Sequence, residues 1–248
     1  MTKFLKEWRG ALILLGTLFV GWQALYMATG EIAMRSPLQT LRFTAAFLAN
    51  ERYWPDLAET ALACTMAVAI SIGVGLTTGL VLGAGKVAGQ IFEPMLVTVY
   101  SIPKLTLYPI LLLLFGLGMS AKVAFGAIHG IIPIALFTLN AVRNIKPVLI
   151  KSGRVLQYGP ADMATKVLIP AALPEIVTGV RIGFSLTLIG TLYGEMFASQ
   201  RGLGNLLMRA IGLHQVDIIM AIALIVTVVA ALGSSLLLAL DRRLHARA

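Results

Sequence analysis

The sequence predicts an all-α polytopic membrane bundle of about six transmembrane helices, and three observations carry that prediction. The first is composition: of 248 residues, 58% are hydrophobic and only 12% are charged. A soluble domain carries about 25% charged residues, because its surface must be solvated by water. The second is a mean hydropathy of +0.88. The third is segmentation into six runs nearly free of charge, each close to the roughly 20 residues with which a helix crosses a bilayer. Six such runs use about 100–140 residues and leave short loops, so residues 1–248 read as a single transmembrane domain.

The first run, Gly10–Thr29, follows a short basic tail carrying Lys3, Lys6 and Arg9. A cleaved leader shares that pattern, but its apolar core is usually about 7–15 residues, so a retained helix over 10–29 is the reading. Residues 30–59 mix charges (Glu31, Arg35, Arg42, Glu51, Arg52, Asp56, Glu59) and read as the longest polar connection. The second span is placed at 60–85. The third, 94–118, contains Pro103, Lys104 and Pro109, and those prolines should kink or break it and free backbone groups. The fourth is 123–142, the fifth 176–199 with Arg181 near its start and Glu195 near its end, and the sixth 218–240.

Glycines recur at intervals of four inside these runs: Gly75, Gly79 and Gly83; Gly126 and Gly130; Gly179 with Gly183; Gly190 with Gly194. Residues four apart share a helix face, and a face without side chains lets two backbones approach closely in lipid. Tight packing within one bundle is the reading.

Basic residues set the orientation. Lys3, Lys6, Arg9, Lys86, Arg143, Lys146, Lys151, Arg154, Lys166, Arg242, Arg243 and Arg247 fall on the side of the termini, against Arg35, Arg42, Arg52, Lys122, Arg201 and Arg209 opposite. The excess places both termini and the 143–174 segment in the cytoplasm. The surplus of 20 Lys and Arg over 11 Asp and Glu is therefore a matter of loop charge and lipid contact, with no nucleic acid partner implied.

Several chemistries lack their residues. The run Gly83-Ala84-Gly85-Lys86-Val87 misses the first glycine of an ATP-binding loop and has Val87 where a magnesium-binding Ser or Thr belongs. His129, His214 and His245 form no i, i+4 pair, and Cys64 is the one cysteine, so no metal site or disulfide framework is expected. No nucleophile elbow is present. The chain is read as a non-enzyme that binds no cofactor itself.

The segment 143–174 is polar and proline-rich. Leu156-Gln157-Tyr158-Gly159-Pro160 should end one short helix, with Gly159 as its C-cap and Pro160 opening the next. Asp162 would complement the dipole of that second helix, and Pro170 and Pro174 would end it before the fifth span. Thirty ordered residues exceed what a plain connection needs.

The run Val167-Leu168-Ile169-Pro170-Ala171-Ala172-Leu173-Pro174-Glu175-Ile176-Val177-Thr178-Gly179-Val180-Arg181-Ile182-Gly183, continuing to Gly194-Glu195-Met196 and Gly202-Leu203-Gly204, resembles the permease subunit of binding-protein-dependent ABC importers. Ser101-Ile102-Pro103-Lys104, Pro109 and Phe115-Gly116-Leu117-Gly118 resemble the nitrate, sulfonate and taurine branch of that family. The resemblance covers about residues 60–240 and implies a type I importer permease fold in a bacterial inner membrane. It also implies a path for a small, anionic solute delivered by a periplasmic or extracellular binding protein. A cytoplasmic ATPase dimer would supply ATP and magnesium chemistry, and a second permease copy, as a homodimer, would complete the path.

In that family the 143–174 segment docks on the ATPase. The residues this implies as the coupling loop are Lys151, Ser152, Gly153, Arg154, Leu156, Gln157, Gly159, Pro160, Ile169, Pro170, Leu173 and Pro174. Aligned without gaps from Pro170, the family's Glu-Ala-Ala falls on Lys151-Ser152-Gly153, a charge reversal at the first position, and its glycine falls on Gln157. Aligning that glycine with Gly159 needs a two-residue deletion. Ionisable groups at membrane depth are costly, so Lys104, His129 and Glu195 are the candidates for the translocation path. Lys104 paired with Glu195 is the competing structural reading. The rival function is a secondary transporter or channel driven by an ion gradient; it would show inverted repeats with paired charges at mid-membrane. No convincing repeat is visible.

Overall fold

A computed structural model describes residues 2–245, and among these every regular element is helical. Arg247, one of the charges used for orientation, lies outside the described residues. The order is α1 Thr2–Thr29, α2 Pro37–Ala49, α3 Trp54–Ala84, α4 Lys86–Ser101, α5 Tyr108–Phe115, α6 Met119–Arg143, α7 Pro147–Val155, α8 Pro160–Met163, α9 Ile169–Ala198, α10 Leu203–Gly212 and α11 Val216–His245. Five stretches are long and apolar enough to cross a membrane, and α4 with α5, bent by 85° at their break, makes a sixth if the pair is one span. Contacts group the chain into two compact units, one of residues up to 55 with 206–228 and one of 56–205 with 229 onward.

In the first unit, the connection after α1 is not the open loop that its mixed charges suggest. Ser36 and Gln39 form a reciprocal capping box and Pro37 occupies the first turn, which together start α2. Arg35 grips Asp217 at the start of α11 with a two-pronged pair, Nε to Oδ1 at 2.6 Å and Nη2 to Oδ2 at 2.9 Å, while Trp22 donates to the Arg35 carbonyl at 3.0 Å. The fork of a guanidinium matches both oxygens of a carboxylate, which is why such pairs fix geometry as well as charge. Gln39 and Tyr26 donate to the Glu31 carboxylate and, in that order of weight, hold its pKa below the usual carboxylate value.

The second unit is built on α6, most of which is buried. Helix α3 lies against it through its glycine stripe: a Cβ on Gly75 would sit 2.8 Å from Ile134, one on Gly79 2.5 Å from Thr138, and one on Gly83 2.9 Å from Val142. Helix α9 does the same through Gly179, Gly183, Gly190 and Gly194, whose added Cβ atoms would meet Phe137, Ile134, His129 and Lys122. The four-residue glycine spacing therefore marks two seams of one bundle, where van der Waals contact replaces the hydrophobic drive that lipid removes.

Two expectations are corrected here and one is met. The second span begins at Trp54, before Thr60, so Asp56 and Glu59 belong to α3 rather than to a loop. The third breaks at Pro103, as its prolines led one to expect: Ile102 is extended ahead of Pro103, a short 3₁₀ turn covers Lys104–Leu107, and α5 then leaves in a new direction. Pro170 and Pro174 do not end a helix. The chain runs as one apolar helical stretch over Pro160–Phe197, with a π-turn at Ala164–Leu168 just ahead of Pro170. Proline keeps helical φ but lacks an N–H and crowds the carbonyl four residues back, and a π-turn relaxes the hydrogen-bond ladder just ahead of Pro170. Arg181 is accordingly the thirteenth residue of α9, not near its start.

Candidate functional site

The first candidate region is the 143–174 segment. Helix α7 starts at Pro147 after Lys146 and ends in a Schellman turn: the Tyr158 N–H donates to the Gly153 carbonyl and the Gln157 N–H to that of Arg154, both at 3.0 Å. The left-handed residue that this turn requires is Gln157, at φ +55°, whereas Gly159 is extended at φ −67° and precedes α8. The expectation that Gly159 is the C-cap is thus overturned, and the helix ends on Gln157, where the ungapped alignment puts the family's glycine.

Gly153 is the buried residue of α7, and a Cβ there would lie 2.8 Å from the end of the Met163 side chain. Ala141, Ile145 and Ala172 form a small core beneath, with Ile150, Leu168, Ala171 and Ile176 against it. Packed from below, the segment presents Lys151, Ser152, Arg154, Gln157, Gly159, Pro160 and Pro170 on its exposed side, while Leu173 is half-buried and Pro174 buried. It also exposes apolar surface: Val148, Val155, Leu156 and Ile169 are each more than half accessible. Asp162 pairs with Lys166 at 2.8 Å one turn later.

At the opposite ends of α3, α6 and α9 is a buried polar cluster. Lys122, fully buried, places Nζ 2.9 Å from Glu59 Oε1 and 3.8 Å from Glu195 Oε1, and donates to Ser199 Oγ at 3.2 Å and the Arg201 carbonyl at 3.3 Å. The Thr60 hydroxyl lies 2.9 and 2.8 Å from the two oxygens of Glu195, which is also fully buried. The N–H groups that open α10 complete the arrangement. Gly202 donates to Asp56 Oδ1 at 2.8 Å, Leu203 to Thr60 Oγ1 at 2.8 Å and Gly204 to Glu195 Oε2 at 3.0 Å. A helix start leaves such donors unpaired, and carboxylates there also complement its dipole. Gly202, at φ +113°, sits where any side chain would collide with the Glu195 carboxylate.

The path candidates therefore stand apart. Lys104 Nζ donates to the Tyr100 carbonyl at 2.9 Å and lies 4.8 Å from the Tyr100 ring centroid. It does not pair with Glu195, whose cation is Lys122. His129 is buried, its Nδ1 2.7 Å from the Phe125 carbonyl of its own helix and its ring against Gly190. Sequence reasoning took Lys122 for an outer-loop charge and passed over Glu59 and Thr60. The available signal was a lysine at the start of one apolar run and a glutamate at the start of another, charges that lipid tolerates best when they meet.

Residues 56–248 match the family described as binding-protein-dependent transport system inner membrane component. The chain belongs to that family. This importer permease is 26% identical over 240 residues, 96% of this chain and 87% of the relative, to a Bacillus subtilis (strain 168) protein named as the aliphatic sulfonates transport permease SsuC. It is 28% identical over 191 residues to the taurine transport system permease TauC of Escherichia coli (strain K12), covering 77% and 70% of the two chains. Among solved structures, the inward-facing MetNI methionine ABC transporter aligns with 85% of the permease and 99% of its own chain, at a TM-score of 0.61 and 18% identity. That likeness establishes the type I importer permease fold. The two curated relatives agree with the nitrate, sulfonate and taurine branch that the motifs of residues 101–118 resemble.

Proposed function

We propose that this permease lines the translocation path for a small anionic solute handed over by an external binding protein, and that the 143–174 segment is the handle through which a separate ATPase drives it. The observation that carries the reading is the shape of that segment. Packing through Gly153 and Ile150 holds it firmly to the bundle, while its outer side keeps Val148, Val155 and Leu156 exposed. Exposed apolar groups on a polar, well-packed projection are what a partner protein covers. Lys151, Ser152, Arg154 and Gln157 surround them as a polar rim.

Closure of the ATPase dimer would draw the handles of two permease copies together, and the stiff α6 and α9 seam would carry that movement across the membrane as a change of access. The permease makes and breaks no bond in this scheme and holds no cofactor. ATP and magnesium belong to the ATPase. A homodimer supplies two handles from one gene product, with both termini on the ATPase side. Lys104 is proposed as a cation facing the path. His129 and Glu195 are fixed within the bundle and are proposed to keep the path walls in register rather than to touch the solute.

The rival, a gradient-driven carrier, needs no second subunit. Affinity purification of the permease from its native membrane distinguishes the two: a stoichiometric ATPase should co-purify, and uptake into proteoliposomes should stop when ATP is withheld. Full-rate transport by the permease alone would overturn the proposal.

A further inference from the structure

A groove of about 400 Å³ in the second unit is lined by Tyr100, Arg181, Ser185, Ser234 and Ser235, with Ile182, Leu186 and Leu238 forming its apolar wall. Arg181 is half-buried and near the middle of the apolar stretch Pro160–Phe197, roughly 18 Å along α9 from its first residue. Its guanidinium has no carboxylate or carbonyl partner among the described residues, and neither the Tyr100 nor the Ser235 hydroxyl has one. Ser185 and Ser234 do bond each other, at 3.1 Å, and Ser185 also donates to the Arg181 carbonyl at 3.3 Å. No acidic side chain lines the groove. Lys104 adds a second positive charge at its edge, resting on the Tyr100 ring.

Unpaired donors at membrane depth are costly, and a guanidinium costs most. A donor-only cation whose planar fork fits two oxygens at once and two hydroxyls able to donate line one cavity. We infer that this groove is an oxoanion-binding site, in which Arg181 holds a sulfonate, phosphate or carboxylate group while the Tyr100 and Ser235 hydroxyls donate to its remaining oxygens. A transported solute and a lipid headgroup share that chemistry. Arg181 lies between Gly179 and Gly183, which pack on Phe137 and Ile134 inside the membrane-spanning α6, and that depth favours the solute, since headgroups lie at the bilayer surfaces. The inference deepens the importer reading and rests on it only for the solute's role as cargo.

The test uses the full chain with its co-purifying subunits in phosphatidylcholine nanodiscs, without nucleotide. In a Cys64→Ala background, Ser235→Cys is modified with sulfonatoethyl methanethiosulfonate and, separately, with its trimethylammonium counterpart. With each rate divided by that reagent's rate on free cysteine, the anionic reagent should be favoured about tenfold, the effect of a nearby cation in a medium of intermediate dielectric, and Arg181→Gln should remove most of that preference, leaving the smaller share due to Lys104. Leu238→Cys provides a second reporter if the first variant does not fold. Equal normalised rates with Arg181 intact, or a preference undiminished by Arg181→Gln, overturns the site. Protection by millimolar methanesulfonate or sulfate identifies a solute site; protection only when phosphatidylglycerol replaces part of the phosphatidylcholine identifies a headgroup site and overturns the role in transport. The labelling needs neither ATP nor uptake. Absence of the preference in the protein that keeps Arg181, with ATP-dependent uptake intact, would remove this site and leave the importer reading standing, and the reverse result would do the opposite.

Discussion

Gln157 holds the left-handed conformation that ends α7, at φ +55°. A non-glycine residue pays about 1 kcal/mol there because its Cβ crowds the following carbonyl oxygen. Gln157→Gly should recover about that much, seen as roughly fivefold slower amide exchange across residues 150–158, whereas Gly159→Ala, in an extended conformation any residue adopts, should change little. Lys122 is the opposite case. Its ammonium is fully buried between Glu59 and Glu195, and removing one partner of a buried pair strands the other charge at a cost of about 3–5 kcal/mol. Lys122→Ala should therefore reduce the yield of folded permease sharply, and Lys122→Met combined with Glu195→Gln should restore most of it. If the double variant were as unstable as the single one, charge pairing would not be what the cluster contributes.

Between elements, the seams tolerate no added volume. A Cβ on Gly79 would already lie 2.5 Å from the Thr138 Cβ and 2.6 Å from the Ala135 carbonyl oxygen, the latter a backbone atom that cannot swing away. Gly79→Val should force α3 from α6 at a cost of about 3 kcal/mol, measurable as a lower melting temperature in detergent. Gly73, on the same helix with open space around it, should accept alanine without such a penalty. The break between α4 and α5 belongs to this scale too. Ile102 must be extended because proline follows it, and the chain turns by 85° there as a result. Lys104 and Tyr100 meet across that break.

At the scale of the whole molecule, the proposed function has force enter through the α7 end and access change elsewhere in the bundle. Lys151, exposed on α7, is where the family carries an acid. If the ATPase groove answers with an acidic residue, Lys151→Glu should weaken copurification of the ATPase and cut uptake about tenfold, while the ATPase's own nucleotide hydrolysis persists. Unchanged binding and uptake would show that the apolar contacts of Val155 and Leu156 carry docking by themselves.

Hydropathy and charge spacing were enough to show a helical membrane bundle and its broken third span, because the cost of burying unpaired polar groups in lipid depends on composition alone. The glycine seams were legible for a similar reason: a four-residue repeat aligns on one face of any helix. Residues whose role depends on who their neighbours are could not be read so directly. Gly159 looked like the helix end because glycine adopts left-handed φ most easily, yet the closing bonds to Gly153 and Arg154 put the left-handed residue at Gln157, two residues earlier. Lys122 looked like a loop charge until Glu59 and Glu195, far away along the chain, surrounded it. Arg181 looked like a residue near a helix start until the helix continued through two prolines and set its guanidinium among hydroxyls from α4 and α11. One-dimensional patterns fix which segments leave water; which polar groups then find each other is decided only by the fold, since partners in an apolar medium are chosen by distance in space.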